Sequence, residues 1–292
     1  MKFGFLIDKT EVTCSGFTIK PLPDYAEIVD SFYSNVHVSK GWIYGPEKEL
    51  VKNADEKKKF SQCGPIMPDS FYRMIATHEI VASSGDEEYL RFLVLGYGFL
   101  QGLYLTPEGY SCIGRVPYQP GKLNGLILCG NDYRLGMEKV SNFYLDSNDD
   151  KRNQMFACMH WFLVGQTYQN EWDKFDAQYK VLDGLYRLSG LTAPNHANRP
   201  VVLANNYGIT LPDWAVLDAT GKESALSRQR NELVHEAKFD GHPIGYSYPS
   251  ENYTLEFSSF NAKLIAASLE IDTSYLHADP KNRDMWGWDI KQ

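Results

Sequence analysis

The stretch "LRFLVLGYGFLQGLYL", residues 90–105, constrains the fold more than any other part of this 292-residue chain. A bilayer span needs roughly 20 apolar residues. This run is shorter and carries Arg91, Gln101 and three glycines. It is therefore expected to be a helix buried on all sides within a protein core. Such a helix has to be covered by other elements, so the chain must build layers around it. Its composition supplies the material: 43% hydrophobic and 23% charged residues are the proportions of a well-packed globular protein.

Around that run the two halves read differently. "FGFLID", "EVTCSGFTIKPL" and "NVHVSKGWIYG" read as short strands punctuated by glycine, and "MPDSFYRMIATHEIVAS" as helix running into strand. "TPEGYSCIGRVPYQPGKLNG" is turn-rich. From residue 172 onward Trp172, Phe175, Tyr179, Leu182 and Tyr186 recur at steps of three and four, one buried helix face. A helix over about 154–168 precedes it, and "APNHANRP" is a loop bracketed by Pro194 and Pro200. A short helix near "VVLANNYG", another over about 223–238, a long turn "GHPIGYSYPS" and a closing helix over about 254–270 follow. The closing helix is expected to bury Leu255, Phe260, Leu264, Ala267 and Leu269. The polar stretch "SNDDKRN", residues 147–153, makes the domain junction. The expected class is α+β: a mixed, β-rich α/β domain over residues 1–148, then an all-α helical bundle over 149–292.

Charge and cysteine usage bound the function classes. A net charge of −8 argues against a protein coated in basic surface, while leaving room for a local basic cleft. The five cysteines, 14, 63, 112, 129 and 158, are odd in number and form no Cys-x-x-Cys, a pattern of a reducing compartment. "MKFGFLIDKT" has an acid and no long apolar core, unlike a secretory leader. The expected location is the cytoplasm, with no membrane partner.

Most candidate motifs dissolve on inspection. The seven histidines are scattered, and "CMH" at 158–160 has no matching ligand pair. No metal and no cofactor are expected. "GYSCIG" at 109–114 has Ile113 where a serine nucleophile elbow needs glycine. "GYGFLQG" at 96–102 embeds its glycines among apolar residues, as close helix packing would require. "DEKKKF" at 55–60 reads as a solvated loop.

"SALSRQRNELVHEA", residues 224–237, is the exception. Arginine followed a few positions on by histidine is weak by itself: ten arginines and seven histidines give roughly 0.7 such pairs by chance. "RMIATH", Arg73 to His78, shows the same spacing, and Arg228 also lies within range of His235. Context separates them. Arg230 shares an i+3/i+4 row with Leu226, Leu233 and Ala237, and an arginine in an apolar row needs an anion or partner for its donors. Asn231 lies four residues before His235, on the same helix face, where it can orient the imidazole. Arg230 and His235 project some 140° apart on an α-helix, because five residues advance about 500°. The long arginine stem would have to bridge that angle.

Arg230, Asn231 and His235 together resemble the signature of the HEPN family (higher eukaryotes and prokaryotes nucleotide-binding), all-helical bundles found in many RNases. "WDKFDAQYKVLDGLYRL" is similar to the long early helix of such domains, and the closing helix is placed accordingly; the resemblance covers about 150–275. "YLRFLVLGYGFLQGLYLT" is similar, less specifically, to the extra domain of larger bacterial HEPN proteins linked to phage defence. The resemblance implies a metal-independent endoribonuclease, a toxin or anti-phage effector, with Arg230, Asn231 and His235 as catalytic residues and RNA as substrate. It also implies a homodimer through the bundle, since family members often build the cleft from two chains. The N-terminal domain would then hold a regulatory or recognition partner. The alternative is a non-catalytic HEPN module that binds RNA, a nucleotide or a protein partner.

Overall fold

The computed structural model describes residues 1–9, 11–34, 38–44, 75–107, 115–126, 128, 132–245, 253–279 and 289–290. Five short strands form an antiparallel sheet in the order β2-β3-β6-β1-β7, with β1 at Lys2–Gly4, β2 at Val12–Cys14, β3 at Phe17–Pro21, β6 at His78–Ala82 and β7 at Thr106–Pro107. Alternation sets the register. Ile19 pairs with Ile80 on the buried face, while Lys20 pairs with Glu79 outside, their charges 3.1 Å apart. The helix α1, Tyr25–Tyr33, follows the first hairpin, and its Phe32 ring stacks on Phe5 with centroids 3.7 Å apart.

"NVHVSKGWIYG" is two strands rather than one. β4, Val38–Ser39, turns through Lys40 and Gly41, both at positive φ, into β5, Trp42–Tyr44. That two-residue turn is the kind whose twist suits a hairpin. β5 then pairs with β8, Arg115–Pro117, to make a second, three-stranded sheet. The helical part of "MPDSFYRMIATHEIVAS", the motifs "GYSCIG" and "DEKKKF", and Arg73 lie largely or wholly outside the described residues.

The apolar run folds as α2, Glu87–Gln101, buried from Tyr89 to Gln101 save for Arg91. Asp86 caps it, accepting from the Glu88 and Tyr89 backbone N–H groups, and Gly102 ends it at φ 64°. Its inner glycines permit close packing. A Cβ at Gly96 would lie 2.5 Å from a Val140 methyl, and one at Gly98 2.5 Å from the Leu103 carbonyl oxygen. Val140 belongs to α3, Asp132–Asp146, and a two-residue break leads from α3 into α4, Asp149–Gly165. Asn148 caps α4 by accepting from the Lys151 N–H, so "SNDDKRN" spans that break and the first turn of α4.

α4 packs antiparallel to α5, Glu171–Ser189, at close range. Gly165 faces Ala177, and a Cβ on Gly165 would come within 2.3 Å of the alanine's. Phe175, Tyr179 and Leu182 of the expected α5 face are buried, with Trp172 and Tyr186 half-buried at its ends. α6, Arg199–Tyr207, and α8, Thr254–Ser268, complete the helical layer. α8 departs from the expected amphipathic reading. It is buried on every side from Phe257 to Ala266, Asn261 and Lys263 included, while Leu255 is exposed. Asn261 donates to the Gln178 carbonyl and side-chain oxygens, and the Lys263 ammonium donates to the Ala278 carbonyl oxygen at 2.5 Å. Burial pushes the Lys263 ammonium down to about 8.

The architecture is mixed α+β, and one apolar core runs through both halves: Phe99 of α2 meets Phe162 of α4 edge-on at 5.7 Å. Among the described residues no helix is long and apolar enough to cross a membrane, and no group of three or more His, Cys, Asp or Glu is arranged to hold a metal ion.

Candidate functional site

α7, Ala225–Asn231, begins with a reciprocal cap: the Ser227 hydroxyl accepts from the Ser224 N–H, and the Ser224 hydroxyl from the Ser227 N–H. Leu226 anchors it in the core. After Asn231 the helix widens into a π turn over Glu232–Glu236, closed by the Ala237 N–H on the Glu232 carbonyl, with Ala237 itself at φ 52°. A short hairpin follows, β9 at Lys238–Phe239 and β10 at His242–Pro243. Its turn is Asp240-Gly241, both at positive φ, a strong hairpin signal. The segment read as one long turn therefore opens on a strand pair. The Glu232 carboxylate ties this hairpin back by accepting from the Gly241 N–H at 2.8 Å. Phe239 seats it against Phe175, with centroids 5.5 Å apart.

The π turn removes the angular difficulty. The wider i→i+5 turn that follows Arg230 brings His235 nearer to that residue's face than the roughly 140° of a regular α-helix allows. Arg230 Nη1 is 3.2 Å from His235 Nε2 and 3.2 Å from Asn231 Oδ1. A guanidinium has only donors, so His235 Nε2 is the lone-pair nitrogen in this contact. Asn231 orients the guanidinium through its carbonyl oxygen and does not meet the ring, contrary to the expected role. The extra residue in the turn also takes Ala237 out of the apolar row: it is exposed, whereas Leu226 is buried and Leu233 half-buried.

Arg230 also lies over the ring of Tyr179 on α5, 5.8 Å from its centroid. Burial pushes the Tyr179 hydroxyl up to about 12, with Asp183 adding to the rise and Arg230 and Arg199 opposing it. Asp183 and Arg199 form an ion pair at 2.5 Å. The 3-10 turn His196–Asn198, which leads into α6, packs against α7. His196 feels the same charges. Burial lowers its pKa first, then Arg230 and Arg199, against Asp183, so the ring favours its neutral form. Three buried polar atoms here have no hydrogen-bond partner: His196 Nε2, Asn198 Oδ1 and Gln229 Oε1.

No protein-family model, curated protein or solved structure matches the chain significantly.

Among the described residues, Cys158, His160 and His78 are packed side chains. The Cys158 thiol is pushed up to about 12 by burial, and His160 Nδ1 meets the Tyr104 hydroxyl at 3.1 Å, so "CMH" holds two packed side chains. His78 is fully buried in β6. His196, Arg199 and Asp183, which the sequence left unassigned, and Tyr179, read only as a buried helix-face residue, join Arg230 only through tertiary packing. The one local signal was the density of Asn, His and Arg within "APNHANRP".

Proposed function

We propose that the chain is a metal-independent endoribonuclease of HEPN type, acting as a toxin or anti-phage effector. The observation that carries this reading is the Arg230–His235 contact at 3.2 Å, which joins a permanent cation to a titratable ring. RNA offers a 2′-hydroxyl beside every phosphodiester. His235 takes the 2′-hydroxyl proton on Nε2 once the incoming phosphate draws the Arg230 guanidinium away from that nitrogen, and the 2′-oxygen attacks phosphorus. The P–O5′ bond breaks, and the departing 5′-oxygen takes a proton from a second acid. The products are a 2′,3′-cyclic phosphate and a 5′-hydroxyl. The guanidinium steadies the non-bridging oxygens as charge builds on them.

One chain brings one such pair. A two-fold dimer would face two Arg230/His235 sets across one groove and supply base and acid from a single motif. The three unpartnered polar atoms beside α7 support a ligand-handling cleft, because buried polar groups ordinarily find partners. Incubating RNA with wild type, Arg230→Ala and His235→Ala in the presence of chelator tests the reading. Cyclic-phosphate ends from wild type alone are the expected result; full cleavage by His235→Ala rejects it. Expression of wild type, but not of His235→Ala, should slow cell growth.

The net charge of −8 favours one other use of the same cleft, a non-catalytic module that binds RNA, a nucleotide or a protein partner. RNA binding that survives His235→Ala, with no cleavage by wild type, would assign it there.

A further inference from the structure

A second cleft, separate from the Arg230 cluster, lies where the three-stranded sheet meets the helical layer. Its volume is about 430 Å³, within the range of small-molecule sites. Trp42 of β5 and Arg115 of β8 form one wall, with the guanidinium 4.3 Å from the ring centroid. Arg115 is held there by donating through Nε to the Thr167 carbonyl (2.8 Å) and through Nη2 to the Tyr168 carbonyl (3.3 Å). Lys122 and Lys174 add two cations, and Glu171, 2.7 Å from Lys174, offsets one. The lining is thus net positive in a chain of net charge −8.

Asn124, also in the lining, is 6% exposed. Its backbone is clamped by Gln166, which accepts from the Asn124 N–H at 2.7 Å and donates to its carbonyl at 3.3 Å. Its side-chain Nδ2 is a buried donor without a partner. The first turns of α5 and α8 border the same space through Glu171, Lys174 and Thr254, and helix N-termini favour anions. A water-filled seam between layers would need neither a guanidinium fixed over tryptophan nor a net positive lining.

We propose that this cavity binds a nucleoside phosphate, with the phosphates met by Lys122, Lys174 and Arg115 and the base stacked on the Trp42–Arg115 pair. Cations suit phosphate, the planar indole and guanidinium groups suit a base, and the volume fits one nucleotide rather than a folded RNA. The site stands independently of the ribonuclease reading. Yet Lys174 lies on the same helix as Tyr179, about 7.5 Å along the axis at 1.5 Å per residue, so occupancy bears on the element whose Tyr179 ring meets Arg230.

Titration calorimetry of the full chain with ADP, GDP, adenosine and inorganic phosphate tests it. One of the two diphosphates should bind with Kd below about 100 μM, a binding energy above roughly 5 kcal/mol. Adenosine and inorganic phosphate should bind at least ~10-fold more weakly. The double variant Lys122→Ala/Lys174→Ala should weaken binding at least ~10-fold while the melting temperature in the absence of ligand stays put. Arg230→Ala should leave Kd unchanged. No heat from either diphosphate at millimolar concentration, phosphate binding as tight as the diphosphate, an unaltered Kd in the lysine variant, or loss of binding in Arg230→Ala would each overturn the proposal.

Discussion

Lowering the pH from 7.5 to 5 should destabilise this protein, and the share due to one side chain, His78, can be isolated from that of the other buried histidines. His78 is fully buried in β6 of the five-stranded sheet, against the rings of Phe3 and Tyr25 at 5.8 and 5.7 Å. Its Nδ1 is 3.0 Å from the Thr77 hydroxyl, which also accepts from the Leu6 N–H, and its Nε2 has no partner. A protonated ring there would put a charge in the core, met only in part by Asp8. Burial lowers the pKa from 6.5 to about 4, against a smaller opposing pull from Asp8. The unfolded chain therefore takes up the proton first. The stability contribution is full above pH 6.5, declines as pH falls, and is gone below about 4. At 1.36 kcal/mol per pH unit of separation, the loss is about 2 kcal/mol by pH 5 and about 3 by pH 4. Urea unfolding of wild type and His78→Asn at pH 7.5 and pH 5 isolates it, because other titrating groups cancel in the double difference. The asparagine keeps a polar atom for Thr77, and wild type should lose about 2 kcal/mol more than the variant across that interval. Equal losses in the two proteins would refute the burial argument.

Three further outcomes follow from local geometry. Gly165→Ala, which forces a Cβ to 2.3 Å from that of Ala177, should cost about 1–3 kcal/mol in urea unfolding; no loss would mean that α4 and α5 are further apart. Ala237→Gly relieves a left-handed residue at φ 52° and should raise stability by about 1 kcal/mol, with a fall in melting temperature as the contrary result. His196→Phe removes an unpartnered buried nitrogen, so it should leave stability equal or higher while lowering RNA cleavage at least ~10-fold; unchanged cleavage would place His196 outside the site.

How much was legible follows from which forces act locally. The run at 90–105 could be read as a buried helix because such a helix is coded by its own apolar residues, but its ends could not: it starts at Glu87 after Asp86 and stops at Gln101 before Gly102. The α5 face could be read because Phe175, Tyr179 and Leu182 repeat at the helical period. α8 could not: Asn261 and Lys263 look solvent-facing in sequence and are buried through tertiary partners, the Gln178 and Ala278 oxygens. At the candidate site the residues were visible but their geometry was not. An i→i+5 turn has no side-chain code, so α-helical angles separated Arg230 from His235, and the helix widens to bring them together. His196 was hidden for another reason, because it reaches α7 from 34 residues earlier through packing alone.

The central claim is that Arg230 and His235 act as one unit on an RNA phosphodiester, and a double-mutant cycle on cleavage rates tests it most directly. Residues that work jointly are non-additive. Arg230→Ala and His235→Ala should each lower the rate on the order of 10²–10³-fold. The double variant should be no slower than the worse single. Losses that multiply in the double variant, or a wild-type rate no faster than the double's, would contradict the account.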